Sequence, residues 1–259
     1  MTDDAPAPET KAAPASNWLT GARAGYLALG VSVVALGLAA APYFTGGGEN
    51  VRAYLLKHPE VLQEASQALQ EKGEQARVDE TNQAAAANAA LLKPDPRDPS
   101  FGPADAKVTV IEFFDFRCPG CKAVAHDYRA LMAAHPEVRF VFKDWPILDR
   151  GEDVTSQYAA RAALAAHQQG KYLEVYDALM TERALSIEAI DRILAEHGVD
   201  MTRAKAAVAS PETTRHIADI HTTAAALRLQ GTPTFLVNGK ASPSIDPAEV
   251  GKMIEAAKR

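Results

Sequence analysis

The sequence predicts an α/β fold, and three observations carry that prediction. Residues 108–114, VTVIEFF, form a near-continuous apolar run, the pattern of a strand buried on both faces. A helical stretch and a second apolar run at 138–143, VRFVFK, follow, giving a βαβ start. After a long helical block, GTPTFLVNGK at 231–240 reads as a strand entering an Asn-Gly hairpin turn, with a last helix behind it.

Taken in order, residues 1–23 are rich in Ala, Pro and acidic residues and read as a disordered cytoplasmic tail. Residues 24–44 contain GYLALGVSVVALGLAAAPYF, which lacks charge and is long enough to cross about 30 Å of hydrocarbon as a helix. Arg23 and Lys11 before it favour a cytoplasmic N-terminus and an exported body. The expected topology is therefore a single pass with the C-terminal body exported. The alternative is a cleaved signal peptide, because GLAAAP offers small residues near the end of the run, although Pro42 spoils the best site. Both readings place the body where disulfides form.

Residues 45–97 read as a helical stalk or oligomerisation segment. Asn50 is the expected N-cap of one helix and Pro59 the first residue of the next, with Val61, Leu62, Ala65 and Leu69 at helical spacing. Residues 71–90 stay helix-friendly but are Ala- and Gln-rich, so this helix serves as a solvated stalk or a seam between subunits. KPDPRDPSFGP at 93–103 then breaks the helix, and 98–259 is the expected α/β domain, with a helical insertion at about 150–229. Within it Ser210-Pro211-Glu212 and Asp246-Pro247 are helix starts.

The chain has 259 residues, 47% of them hydrophobic and 23% charged, and a formal net charge of -6. That composition is globular, and the charge supplies no basic field for nucleic acid. Its only two cysteines, Cys118 and Cys121, stand three positions apart in FFDFRCPGCKAVA. At the start of the predicted helix, Cys118 is the N-cap and Pro119 is N1. Its thiolate then faces free backbone N–H groups and the positive end of the helix dipole, which lowers its pKa. Cys121, one turn on, is placed to attack a mixed disulfide formed by Cys118. A structural staple closing so short a loop would remove little chain entropy. A zinc site would need His216 and His221, which lie far from the cysteines and on one amphipathic helix. The remaining histidines, His58, His126, His135, His167 and His197, form no constellation, and no metal or cofactor is expected.

QGTPTF supplies a second signal. A proline just before a strand suits a cis peptide bond, and Pro233 would then lie against the thiols and expose the backbone of Thr232 to an extended substrate.

VTVIEFFDFRCPGCK, with GTPTFLVNGK downstream, resembles the DsbA-like thiol–disulfide oxidoreductases of the thioredoxin superfamily. VRFVFKDWPIL followed by AARAALAA is similar to that family's next strand and first inserted helix, and VRAYLLKHPEVLQEASQALQ to the N-terminal helical segment of the suppressor-of-copper-sensitivity protein C branch. The resemblance implies a thioredoxin fold with an inserted helical domain, Cys118 as nucleophile, Cys121 as resolving thiol and Pro233 as the cis-proline. Thr232, Pro119 and Gly120 would touch substrate. Glu112, six positions before Cys118, falls where the family carries a buried acid, and there it would exchange a proton with Cys121. Asp115 reads as a residue that shapes the loop. Two departures stand out. Gly120 replaces the histidine of the family's strongest oxidant, implying a milder oxidant, and ASPSIDPAEV lacks the apolar residues of a regular last strand.

The expected activity is exchange of disulfides with exported proteins, in the oxidising direction or as an isomerase or reductase. Thr232 before Pro233 also occurs in isomerase-type relatives. A membrane partner, a quinone-linked oxidase or an electron-delivering reductase, would reset the cysteines, and the branch implies a homo-oligomer. The rival role is Cu(I) capture by the reduced cysteine pair.

Overall fold

The computed structural model describes residues 47–259. The apolar stretch expected to be an anchor lies outside them, and among the described residues no helix is long and apolar enough to cross a membrane. The chain divides into two compact units between Ala68 and Leu69.

In the first unit, helix α1 (Gly47–Lys57) is followed by the start of α2 (Glu60–Ala87). Asn50 lies inside α1 rather than at its N-cap, because the helix extends back into the glycines. Pro59 immediately precedes α2, where its fixed φ and missing N–H suit helix entry. Val51, Tyr54, Leu56 and Leu62 leave more than half of their surface exposed.

The rest of α2 belongs to the second unit. Thr81 and Ala84–Ala85 are buried there, and Asn82 Oδ1 accepts from the backbone N–H of Ala241 at 2.8 Å. The proline-rich stretch is therefore not where the compact unit begins. Small residues at 81, 84 and 85 let the helix backbone approach closely, a seat that large apolar side chains would not announce in the sequence.

The sheet has the order β1-β3-β2-β4-β5, with β1 (Ser100–Phe101), β2 (Thr109–Phe114), β3 (Arg139–Asp144), β4 (Thr234–Val237) and β5 (Lys240–Ala241). Only β2 and β3 run parallel, joined through α3 (Pro119–Ala134); the other pairs are antiparallel. The inserted helices are α4 (Thr155–His167), α5 (Tyr172–Thr181), α6 (Ile187–Glu196), α7 (Met201–Val208) and α8 (Pro211–Ala226), and α9 (Pro247–Ala257) closes the chain. Ser210 and Asp246 cap α8 and α9 as expected, accepting from Thr213 N and Ala248 N.

Strand alternation sorts the core into two layers. Val110, Phe114, Phe140, Phe142, Phe235 and Val237 face Tyr128 of α3, Tyr172 and Tyr176 of α5, and Val250 and Ile254 of α9. The opposite face, Ile111, Phe113, Val141 and Leu236, packs on Leu164 of α4, Ile217 and Ile220 of α8, and Ala85 of α2. Phe114, Phe142 and Tyr176 make edge-to-face pairs with centroids 5.0–6.1 Å apart, each adding about 0.5–1.5 kcal/mol beyond its buried area. Asn238 and Gly239 both take positive φ (46° and 79°), the signature of the expected two-residue hairpin turn. β5 is two residues long, as the polar ASPSIDPAEV stretch implied. Gly102 (φ 92°) is obligatory: a Cβ there would lie 2.0 Å from the Val138 carbonyl oxygen.

Candidate functional site

The end of β2 delivers the chain into a loop held by Asp115. One of its carboxylate oxygens accepts from Ile147 N and Leu148 N (2.8 and 3.0 Å), the other from Arg117 N and the Ser156 hydroxyl (2.8 and 2.9 Å). With all four bonds made, Asp115 fixes the loop that presents the next residues. Arg117 pairs with Asp149 at 3.2 Å and Asp153 at 2.6 Å, tying the same loop to the lead-in of α4.

Cys118 is the N-cap of α3 and Pro119 its first residue. The Cys118 sulfur accepts from Cys121 N at 3.4 Å and, as a thiol, donates to the carbonyl oxygen of Thr232 at 3.2 Å. It is 7% exposed, whereas Cys121 is fully buried behind it, and both thiols are free. Hydrogen bonding from the Cys121 side chain, with further bonds from the Thr232 side chain and the Cys121 and Gly120 backbone N–H groups, outweighs burial and lowers the Cys118 pKa from 9.0 to about 5. Burial drives the Cys121 thiol far the other way, reinforced by Cys118 beside it. The pair is thus one thiolate facing out and one thiol held protonated within.

The Thr232–Pro233 peptide bond is cis, and Pro233 lies against the cysteine loop. A Cβ at Gly120 would stand 3.3 Å from Pro233 Cδ, 3.6 Å from Ile245 Cδ1 and 3.7 Å from the Cys118 sulfur. A side chain at 120 would fit there once the Pro233 ring gives by a few tenths of an ångström.

Glu112 is completely buried on the sheet face that carries Phe114 and Phe142. Neither of its oxygens has a hydrogen-bond partner; the Tyr176 hydroxyl is a polar neighbour. Burial, then the nearby Asp144 carboxyl, raises its pKa well above 4.5, which favours the protonated acid. Asp144, bonded to the Tyr172 hydroxyl at 2.5 Å, is raised to about 8, again by burial first. All seven residues expected at the site, Glu112, Cys118, Pro119, Gly120, Cys121, Thr232 and Pro233, belong to this one end of the sheet. His216 and His221 do not converge on the cysteines: His216 sits 3.3 Å from Asp98, and His221 accepts from the Trp145 indole at 3.1 Å.

Lys122 went unread in the sequence. Its ammonium donates to the carbonyls of Leu179, Met180 and Glu182 (2.8, 3.3 and 2.8 Å), tethering the cysteine helix to the C-terminal end of α5. No local pattern signals a partner 57 positions away.

A thioredoxin family model matches residues 94–256, and the model of the copper resistance protein ScsC N-terminal domain matches residues 48–76. A thioredoxin-like oxidoreductase from Silicibacter pomeroyi DSS-3 shares 38% identity and a TM-score of 0.61, covering 66% of this chain and 98% of that one. A probable disulfide bond formation protein D of Bacillus anthracis is 28% identical over 162 residues, 57% of this chain and 73% of its own length. A Na(+)/H(+) antiporter NhaA 3 of Salinispora tropica is 34% identical over 145 residues, 56% of this chain but only 22% of the antiporter. The chain belongs to the thioredoxin family as a thioredoxin-like oxidoreductase, and its residues 48–76 are similar to the ScsC N-terminal domain.

Proposed function

We propose that the chain exchanges disulfides with exported proteins through Cys118 and Cys121, with its catalytic domain in the periplasm. The observation that carries this reading is the asymmetry of the pair: a stabilised thiolate at the α3 N-cap with a buried thiol one turn behind. In the oxidising direction a substrate thiolate attacks the Cys118 sulfur of the Cys118–Cys121 disulfide. Cys121 leaves and takes up a proton, for which the buried Glu112 carboxyl, its pKa raised by burial, is the donor. A second substrate thiolate attacks the substrate sulfur of the mixed disulfide, releasing the Cys118 thiolate and a substrate disulfide. Two thiols are oxidised and one disulfide is reduced, so the electrons balance.

A low-pKa leaving thiolate at Cys118 stabilises the reduced form and favours donation of disulfides. A Cys118 pKa of about 5 lies between about 7 for thioredoxin and about 3.5 for DsbA, which suits a milder oxidant than the latter. Cu(I) capture is the less favoured role, because no Met-rich motif or further cysteine accompanies the pair in the sequence.

The 25–44 segment would anchor the chain in the inner membrane, and a membrane redox partner, a quinone-linked oxidase in the oxidising direction, would restore the disulfide. The exposed apolar residues of α1 and early α2 support assembly of subunits through that arm. The test is oxidative refolding of a reduced, unfolded two-disulfide protein by the full chain, beside Cys118→Ser, with the thiol state in cells read by acid quench and alkylation. Activity lost in the variant and a largely oxidised pair in cells is the expected result. Equal activity in the variant overturns the reading, and a largely reduced pair reverses its direction.

A further inference from the structure

Beside the cis-proline runs a groove of 390 Å³ whose one wall belongs to α2, the helix that leads into the α/β unit. Arg77 and Val78 line it from α2, Thr232 and Pro233 from the loop before β4, and Ile245 from the segment before α9. This wall is fixed in place: Asn82 is bonded to the Ala241 backbone at 2.8 Å, Glu80 pairs with Arg228 at 2.8 Å, and Thr81, Ala84 and Ala85 are buried. The groove is continuous with the thiol. Thr232, whose carbonyl accepts from Cys118 at 3.2 Å, lines it, and Ile245 borders Gly120 at the mouth of the cysteine loop.

Ile245 is 44% exposed and lies in a stretch with no strand partner, so it forms an apolar lip without cover. Val78, half-buried, faces the same space from α2. On the rim, Arg77 and Glu74 are 3.9 Å apart with side chains 54% and 55% exposed. Such a pair contributes little to stability and is free to exchange partners with a charged visitor.

We propose that the C-terminal half of α2 is a wall of the polypeptide-binding groove and makes the enzyme select an extended protein segment over small thiols. The occupant is a stretch of substrate chain with its cysteine at Cys118, an apolar side chain between Val78 and Ile245, and a charged flank meeting Glu74 and Arg77. This rests on the disulfide-exchange reading above. An extended occupant follows from the Thr232 N–H, which has no partner among the described residues and can pair with a strand beside the sulfur; what a tripeptide-sized thiol forgoes is the further contact with the α2 wall.

The test uses the full chain and two reductants of its disulfide: glutathione, and a synthetic peptide of about ten residues with one cysteine and a neighbouring leucine. Val78→Trp, at a half-buried helix position, fills the groove without touching the cysteines. The expected result is a peptide KM raised at least about tenfold, the loss of one well-packed anchor, with glutathione rates and the Cys118 pKa unchanged. Equal losses with both reductants, or none with either, overturn the wall. Glu74→Arg, on an exposed turn of α2, is a second variant: it shifts preference toward an acidic-flanked over a basic-flanked peptide by about threefold, and an unchanged ratio also counts against it. Failure of the unmodified chain to react with either reductant overturns the exchange reading itself, a result distinct from loss of selectivity.

Discussion

Titrating the reduced protein from pH 4 to pH 8 perturbs one sulfur, because Cys121 stays protonated across that range. Cys118, with a folded pKa of about 5 against 9.0 for an ordinary thiol, is depressed. A depressed folded pKa gives stability that is complete above the unfolded value and is lost as pH falls through the folded one. Between these limits the unfolded reduced chain binds one proton more, so the reduced form gains about 1.36 kcal/mol per pH unit. At pH 7, two units above the folded pKa, the thiolate contributes about 2.7 kcal/mol. The oxidised form has no thiol to ionise, so the same energy makes the couple about 60 mV more oxidising than one with an unperturbed thiol. The assay is paired thermal unfolding of reduced and oxidised protein, with thiolate absorbance followed on the same samples. The difference in Tm should rise by about 3–5 °C per pH unit above pH 5, for a domain of this size. Absorbance titrating near 8–9, or a difference in Tm flat with pH, refutes the hydrogen-bonding argument for Cys118.

Three further outcomes follow from named contacts. Glu112 is raised above its unfolded pKa, so it costs stability that grows as pH climbs past 4.5; Glu112→Gln should raise Tm at pH 8 but not at pH 4, and slow the proton-coupled exchange step by about 100-fold. An unchanged exchange rate would make Glu112 a packing feature only. Gly120→His adds a donor near the Cys118 sulfur and should lower its pKa by at least about one, after the Pro233 ring yields a few tenths of an ångström; a thiolate titration shows it. Lys143 meets Asp98 at 2.6 Å with both side chains buried, so Lys143→Met should cost about 3–5 kcal/mol in denaturant unfolding, and Asp98→Asn added to it should recover much of that. A loss under about 1 kcal/mol would mean that water reaches Asp98.

How much was legible in the sequence depends on whether the chemistry is local. The β2 run, the Cys118 N-cap with Pro119, the Ser210 and Asp246 helix starts and the Asn238-Gly239 turn each depend on a few adjacent residues, and each is where the sequence put it. Pro233 was legible only because the cysteine motif stood beside it in the argument; its cis bond answers to a turn, but its nearness to Gly120 answers to the whole sheet. Asp98 was hidden inside a stretch that reads as a helix breaker, yet it is buried against Lys143 and His216, residues from β3 and α8. Lys122 reads as an ordinary surface lysine until α5 ends above it.

The α2 helix shows why burial can leave no trace in hydrophobic periodicity. Where its leucines lie, at Leu62 and Leu69, it is exposed, and where it is buried it carries Thr81, Ala84 and Ala85. Apolar area marks a helix that covers a core, whereas small side chains mark one that must come close to a backbone. A bulky residue at 84 or 85 would push α2 off the sheet and take Arg77 and Val78 away from Pro233. The alanines that make this segment look featureless are therefore what holds its outer turns beside the reactive sulfur.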